Sequence, residues 1–225
     1  VENHYSVTFV LLPTGHISAK GTEIMRWAIA VFLLVTLPAQ AGEVFLIPEH
    51  NPKPIYPRAL SRAGITGDVK VGFTAKADGS VSEITILRSD HPELAQAVRE
   101  AIAQWRFKPW KVDDKKPAAQ EIVAPMIFRL EAPEGAHQWV QQLKCRELNA
   151  HLNHMPEYAW IDSAPFHYLR SHLSSGVFQS QLSEDKRLAL IARLNRSVEG
   201  VVWRCRQWPV SRFTRFLPEE VRQLL

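Results

Sequence analysis

A proline in the middle of an alternating run constrains this chain more than any other residue. Ile122, Ala124, Met126, Phe128 and Leu130 occupy every second position from Glu121 to Leu130. That period predicts a strand with one buried face. Pro125 sits inside it. Proline has no N–H to donate, so it belongs on an edge strand or at a bulge. The run is therefore expected at a sheet edge, with Pro125 facing away from its neighbour. An unpaired edge can accept another chain's strand. An edge proline can equally serve to block unwanted pairing, and the residues alone leave both readings open.

Two strands and a helix precede it. Val69, Val71, Phe73 and Ala75 alternate with Lys70, Gly72, Thr74 and Lys76, which reads as a half-buried strand. Asp78-Gly79 suits a tight reversal that needs positive φ. Val81 to Leu87 is β-branched and apolar enough for a second strand. Its parity changes between Val81 and Ile84, so a bulge is expected near Ser82 or Glu83. Asp90, with Glu93 three residues on, has capping-box spacing, and Pro92 suits a first helical turn. Leu94, Ala97, Val98, Ala101, Ile102 and Trp105 then repeat at helical spacing and give one apolar face to lay on the sheet. Pro109 lies beyond the helix, and 113–117 is a polar loop.

With these elements in place, the stretch resembles the C-terminal domain of the TonB family of periplasmic energy transducers. The positions that carry the resemblance are Tyr56-Pro57, Gly64, Gly67, Asp78-Gly79, Val81, Leu87, Ser89, the W-R-F-K-P run from Trp105 to Pro109, and Pro125 with Phe128. It covers about a third of the chain, residues 52–131. The resemblance implies two helices on a three-stranded antiparallel sheet, an α+β fold. It also implies that the last strand binds a short extended segment of an outer-membrane transporter by strand addition, with the Tyr-Pro motif near the contact. Carried over, the partner-binding residues are Tyr56, Pro57, Arg58, Glu121, Ile122, Val123, Ala124, Pro125, Met126, Ile127, Phe128, Arg129 and Leu130. The best-known members have an arginine two residues after the proline. That position is Ala59 here, and Arg58 is the nearest arginine.

Upstream, Met25-Arg26 is followed by an uncharged run to Gly42 whose apolar heart is Trp27 to Leu37. That length fits the core of a secretory signal and falls short of a bilayer span. Ala39-Gln40-Ala41 offers a cleavage site, so export to the periplasm with a cut after Ala41 is expected; an uncleaved inner-membrane anchor is the alternative. Residues 1–24 read as an upstream extension from a misplaced start and are left out of the fold. At ~3.1 Å per residue, the linker from Gly42 to Asn51 reaches roughly 30 Å. Members of the resembled family carry a long Pro-rich spacer, so this chain is expected to lack their reach and their anchor.

After the linker signal Ala132-Pro133-Glu134-Gly135, residues 136–225 read as an all-helical region. Ala136, Trp139, Val140 and Leu143 form one stripe, whereas Cys145, Leu148 and Leu152 fall on roughly the opposite side. That helix is either buried on both faces or broken midway. Ser183 with Glu184 and Asp185 starts a long helix, and Pro218 a short last one. Cys145 and Cys205 are the only cysteines, and in an exported chain they read as one disulfide. It would close a loop of about sixty residues, worth ~4 kcal/mol by the chain-entropy model. Trp139, Trp160, Trp203 and Trp208 are expected in the core, and the arginines from Arg193 to Arg215 on a solvated face, with lipid headgroups or an acidic partner as the other reading.

Some function classes drop out. A net charge of +4 without a dense Lys/Arg block among aromatics points away from nucleic acid. There is no G-x-S-x-G, and neither cysteine has a nucleophile's setting, so no catalytic residue and no enzyme activity are expected. His137, His151, His154, His167 and His172 cluster in the second half. His151 and His154 are three apart, but no H-E-x-x-H or H-x-E pattern joins them. They read as surface histidines, with no metal and no cofactor. The expected partner is an envelope protein, a TonB-dependent outer-membrane transporter among the candidates, with a homodimer as a further arrangement. The competing expectation is an envelope scaffold whose edge is covered by its own C-terminal helices.

Overall fold

The computed structural model describes residues 45–225 and the backbone of Tyr5–Ser6. The expected signal segment and cleavage site lie outside the described residues. The elements in order are β1 (Tyr5–Ser6), β2 (Pro48–His50), α1 (Arg58–Ala63), β3 (Gly67–Lys76), β4 (Val81–Ser89), α2 (Pro92–Ile102), β5 (Arg106–Phe107) and β6 (Ala119–Leu130). The helical part follows with α3 (Ala136–Gln142), α4 (Cys145–Leu152), a 3-10 turn over Glu157–Asp162, α5 (Ala164–Leu173), α6 (Gly176–Gln181), α7 (Glu184–Gln207), a 3-10 turn over Phe213–Phe216 and α8 (Glu219–Arg222).

The sheet has the order β1-β6-β3-β4; the antiparallel strands β4, β3 and β6 make up its body, and the two-residue β1 pairs only with the last two residues of β6, so β6 is an open edge only up to Phe128. Val69, Val71, Phe73 and Ala75 of β3 and Ile122, Ala124, Met126 and Phe128 of β6 point to one face, where Leu94, Val98 and Ile102 of α2 seal them. The sequence alternation is thus the core itself. The bulge expected in β4 lies at Glu83, whose φ is 53°, and the pairing skips a residue there between Gly72↔Thr85 and Thr74↔Ser82. A second shift, between Lys70↔Arg88 and Val71↔Ile86, leaves Leu87 exposed. The start of α2 differs from the expectation. Its N-cap is His91, which accepts from the Glu93 N–H at 3.2 Å. Asp90 instead accepts from the Asp68 N–H at 2.8 Å and so ties the end of β4 to β3.

The scattered sequence signature at Asp78-Gly79 and Trp105 to Pro109 is one physical contact. Asp78 accepts from the Ser80 N–H at 2.9 Å and closes the turn; Gly79 takes φ +83°. The Phe107 N–H then donates to the Gly79 carbonyl at 2.9 Å, and the Trp110 N–H to the Ala77 carbonyl at 3.0 Å. Trp105 and Phe107 pack edge-on to each other, and both reach Phe73. The Trp105 indole donates to the Pro52 carbonyl at 3.0 Å, which fastens the incoming linker.

The helical part has its own core, built by Val140, Leu148, Trp160, Phe166, Leu169, Ile191, Leu194, Val198, Val202 and Phe213. The conflicting stripes near its start resolve into a break: Leu143 leaves helical geometry, separating α3 from α4. Cys145 and Cys205 form a disulfide with S–S 1.99 Å, which ties α4 to the end of α7. Of the four tryptophans expected inside, only Trp160 is buried; Trp139, Trp203 and Trp208 are exposed. The long α7 spends its apolar side on Ile191, Leu194, Val198, Val202 and Cys205, and Trp203 falls between them on the solvent side.

Candidate functional site

The outer margin of β6 is the candidate site, and the pairing phase decides what it offers. β6 runs against β3 in one unbroken register, Gly67↔Phe128 to Lys76↔Ala119. One step beyond, the Ala77 N–H donates to the Ala118 carbonyl at 2.8 Å. Ladder bonds in an antiparallel pair alternate. The backbone groups of 120, 122, 124, 126 and 128 therefore face β3, while those of Glu121, Val123, Pro125, Ile127 and Arg129 face outward. The Asp90 N–H donates to the Asp68 carbonyl at 3.1 Å, so the even positions of β3 serve the β4 side, in agreement with this phase. Pro125 sits opposite Lys70 in a pair that exchanges no bonds, and its missing N–H is missing from the outer margin alone.

The same parity sorts the side chains. Ile122, Ala124, Met126, Phe128 and Leu130 are buried in the core. Glu121 is exposed, whereas Val123, Pro125, Ile127 and Arg129 are half-buried on the other face of the sheet. Arg129 is held there by Asp68 at 2.9 Å and by the Phe128 carbonyl at 3.0 Å.

One end of the margin is occupied. Tyr5 pairs with Leu130 and Ser6 with Arg129. From α5, the Ser171 hydroxyl donates to the Leu130 carbonyl at 2.8 Å, and the His167 ring lies 2.8 Å from the Glu131 carbonyl. Over Glu121 to Phe128, no strand among the described residues pairs with the outer side.

The Tyr-Pro motif lies directly behind this strand. Tyr56 is buried, its ring edge-on to Phe128 at 5.3 Å, and its hydroxyl donates to the Ile65 carbonyl at 2.7 Å. Burial pushes the phenol well above its ordinary value, against the pull of the nearby Arg129 charge. Tyr56 therefore supports β6 from within and does not present its ring outward. Pro57 stands at the N-cap of α1, and Arg58 extends toward Asp162 at 3.8 Å.

That last contact belongs to an interface that sequence reasoning did not find. Asp162 accepts two hydrogen bonds from Arg62, at 2.8 and 2.6 Å. The end of α1 is capped by the helical part: Asn195 donates to the Arg62 carbonyl at 2.7 Å, and Arg187 to the Gly64 carbonyl at 3.2 Å. Arg170 is buried beside them, donating to the Ile161 carbonyl at 2.8 Å; burial pulls it down to about 10. Burial alone would raise the Asp162 carboxyl, but the Arg62 hydrogen bond and the charges of Arg62, Arg58 and Arg170 hold it below its ordinary value. A depressed folded value means stability that is complete above the ordinary carboxylate range and lost as pH falls through the folded value. We expect Asp162→Asn to lower the unfolding midpoint at neutral pH. The mutant should also lose part of the decline between about pH 5 and pH 2, read by thermal unfolding across that range.

Among the described residues no group of three or more His, Cys, Asp or Glu is placed to hold a metal. His151, in the last turn of α4, and His154, in the turn beyond it, are both exposed, as surface histidines would be. The histidines that do meet are His137 and His172, with ring centroids 3.8 Å apart.

Two helices on one face of a three-stranded antiparallel sheet, with a proline-bearing margin at one side, define a small α+β domain of edge-open type. Residues 52–130 match the family described as Gram-negative bacterial TonB protein C-terminal, and this segment is a TonB C-terminal domain. Protein TonB of Pseudomonas aeruginosa is 38% identical over 79 residues, 35% of this chain and 23% of that protein. Protein tonB2 of the same organism is 42% identical over 82 residues, 36% of this chain and 30% of that protein. The solution structure of the Pseudomonas aeruginosa TonB C-terminal domain is 34% identical, covers 40% of this chain and 90% of that one, and has a TM-score of 0.34. The chain spans about a quarter to a third of the length of these curated relatives.

Proposed function

We propose that residues 52–130 bind an extended segment of an envelope protein by adding it as a strand to the outer margin of β6. The observation that carries this reading is the phase of the ladder: the carbonyls of Glu121, Val123, Pro125 and Ile127 and the N–H groups of Glu121, Val123 and Ile127 all face a side on which no described strand lies. Backbone bonds supply affinity in such a mode, and flanking side chains supply choice. The side chains beside the incoming strand are Glu121, Val123, Ile127 and Arg129, with Arg58 near the Tyr-Pro end. A TonB-dependent outer-membrane transporter is the partner class that the family match favours, and periplasmic exposure is the compartment it requires. No helix among the described residues is long and apolar enough to cross a membrane. A photo-crosslinking residue at Glu121 or Val123 tests the reading in cells. Capture of an outer-membrane protein supports it, capture of a second copy of this chain assigns the edge to a homodimer, and no capture from either position removes it.

A scaffold role is the second reading. It is favoured by the contacts of α5 and Tyr5–Ser6 at Arg129 to Glu131, which already close one end of the margin.

A further inference from the structure

The C-terminal end of α7 carries an exposed apolar turn ringed by arginine. The last two turns of α7 and the segment after it run from Gly200 to Pro218 with Arg204, Arg206, Arg212 and Arg215 and no carboxylate. Trp203 is 51% exposed, Trp208 59% and Val210 77%. Exposed apolar side chains gathered on one turn and rimmed by charge mark interaction surfaces more often than scattered ones do.

The turn is rigid because it is bound on three sides. The Ser211 N–H donates to the Trp208 carbonyl at 3.1 Å and closes it. The N–H groups of Cys145 and Arg146 donate to the carbonyls of Ser211 and Pro209, each at 2.9 Å. The Cys145–Cys205 disulfide fastens the same two segments one turn earlier. This seam brings exposed Lys144 and Arg146 beside Pro209 and Arg212, which deepens the positive charge. Arg206 lies between two indoles, its guanidinium 4.8 Å from Trp160 and 4.9 Å from Trp203. Cation–π contact of this kind holds a charged side chain at an aromatic surface. Acids flank the surface: Glu147 lies 3.9 Å from Arg146, Glu199 one turn before Trp203, and Glu219 directly after Pro218.

We propose that this turn is a docking surface for an anionic phospholipid bilayer, with Trp208 and Val210 entering the headgroup boundary and Arg146, Arg206 and Arg212 meeting lipid phosphates. Tryptophan favours that boundary because its ring is apolar and its N–H is not. Arginine close to an anionic leaflet adds attraction for each charge. An acidic peptide would match the charge, but it would leave Val210 and Trp208, the most exposed apolar residues of the turn, in water. Bilayer contact accounts for both halves of the surface. It would also hold the protein against a membrane independently of whatever β6 captures.

Flotation of the protein with phosphatidylcholine vesicles, with and without phosphatidylglycerol, tests this. Partition onto the anionic vesicles is expected to exceed that onto neutral ones by about tenfold or more and to fall with salt. Arg146→Gln with Arg212→Gln should lower anionic partition by about tenfold. Trp208→Ser with Val210→Ser should lower it comparably, and both variants should keep the wild-type unfolding midpoint because the altered side chains are exposed. The protein used is one whose N-terminal residue has been determined to lie beyond Ala41, so that the apolar run Trp27 to Leu37 does not itself carry it onto vesicles. Equal partition onto both vesicle types, unchanged binding by either variant, or binding to polyglutamate without binding to vesicles would overturn the proposal.

Discussion

Gly79→Ala is expected to destabilise the sheet domain by about 3–5 kcal/mol, a large share of the net stability of a small domain. Two costs combine. At φ +83° an L side chain is strained by about 1–2 kcal/mol. The added Cβ would also lie 2.0 Å from the Phe107 carbonyl oxygen, a backbone atom with no rotamer by which to move aside. Relieving that overlap pulls Phe107 away, breaks its N–H bond to the Gly79 carbonyl and loosens Trp105 and Phe107 from Phe73. Gly135→Ala is the control. Its φ is similar at +77°, but the new Cβ would meet only the Gln138 side chain at 3.9 Å. That variant should lose only about 1–2 kcal/mol. Urea unfolding of the two separates strain from collision; equal losses would mean that the contact with Phe107 is not what fixes the turn.

Ile127→Pro is expected to reduce capture of envelope partners by about ten- to a hundredfold while leaving the fold intact. The substitution deletes an N–H that faces the outer margin, so no bond to β3 is lost. Pro125 has already removed one outward donor. With Ile127 changed as well, no outward N–H remains between Val123 and Arg129, and Arg129 lies opposite Ser6. An incoming strand would bury carbonyls with no donor, at about 1–3 kcal/mol for each unsatisfied group. Met126→Pro makes the opposite change: its N–H faces β3, and that variant should unfold the sheet. Pull-down from envelope extracts beside thermal unfolding reads both effects. Wild-type capture by Ile127→Pro would move the partner contact away from this margin.

The alternation in β3 and β6, the bulge at Glu83 and the turn of Pro125 away from β3 were legible because each follows from local parity or from proline's missing donor; that β1 lies beyond the end of β6 was not. The disulfide followed from a count of two cysteines. The second shift at Leu87 was hidden, since an apolar residue there fits either parity. The helix cap went to His91 because Asp90 had a stronger use, a bond to the Asp68 N–H that depends on β3 lying alongside. The joining of α1 to the helical part carried no signal at all. Arg62 and Asp162 are one hundred residues apart, and the groups that cap α1, Asn195 and Arg187, belong to a helix whose own pattern reports only its core. The same blindness put Trp203 and Trp208 inside: spacing along α7 cannot say how much of its circumference neighbouring helices will cover.

Amide hydrogen exchange along β6 tests the open margin most directly. In the isolated protein, the N–H groups of Ile122, Ala124, Met126 and Phe128 should be protected by β3, and those of Glu121, Val123 and Ile127 should exchange fast. Adding a captured partner should slow the second set and leave the first unchanged. Slow exchange at Val123 and Ile127 before any partner is added would mean that the protein covers its own margin.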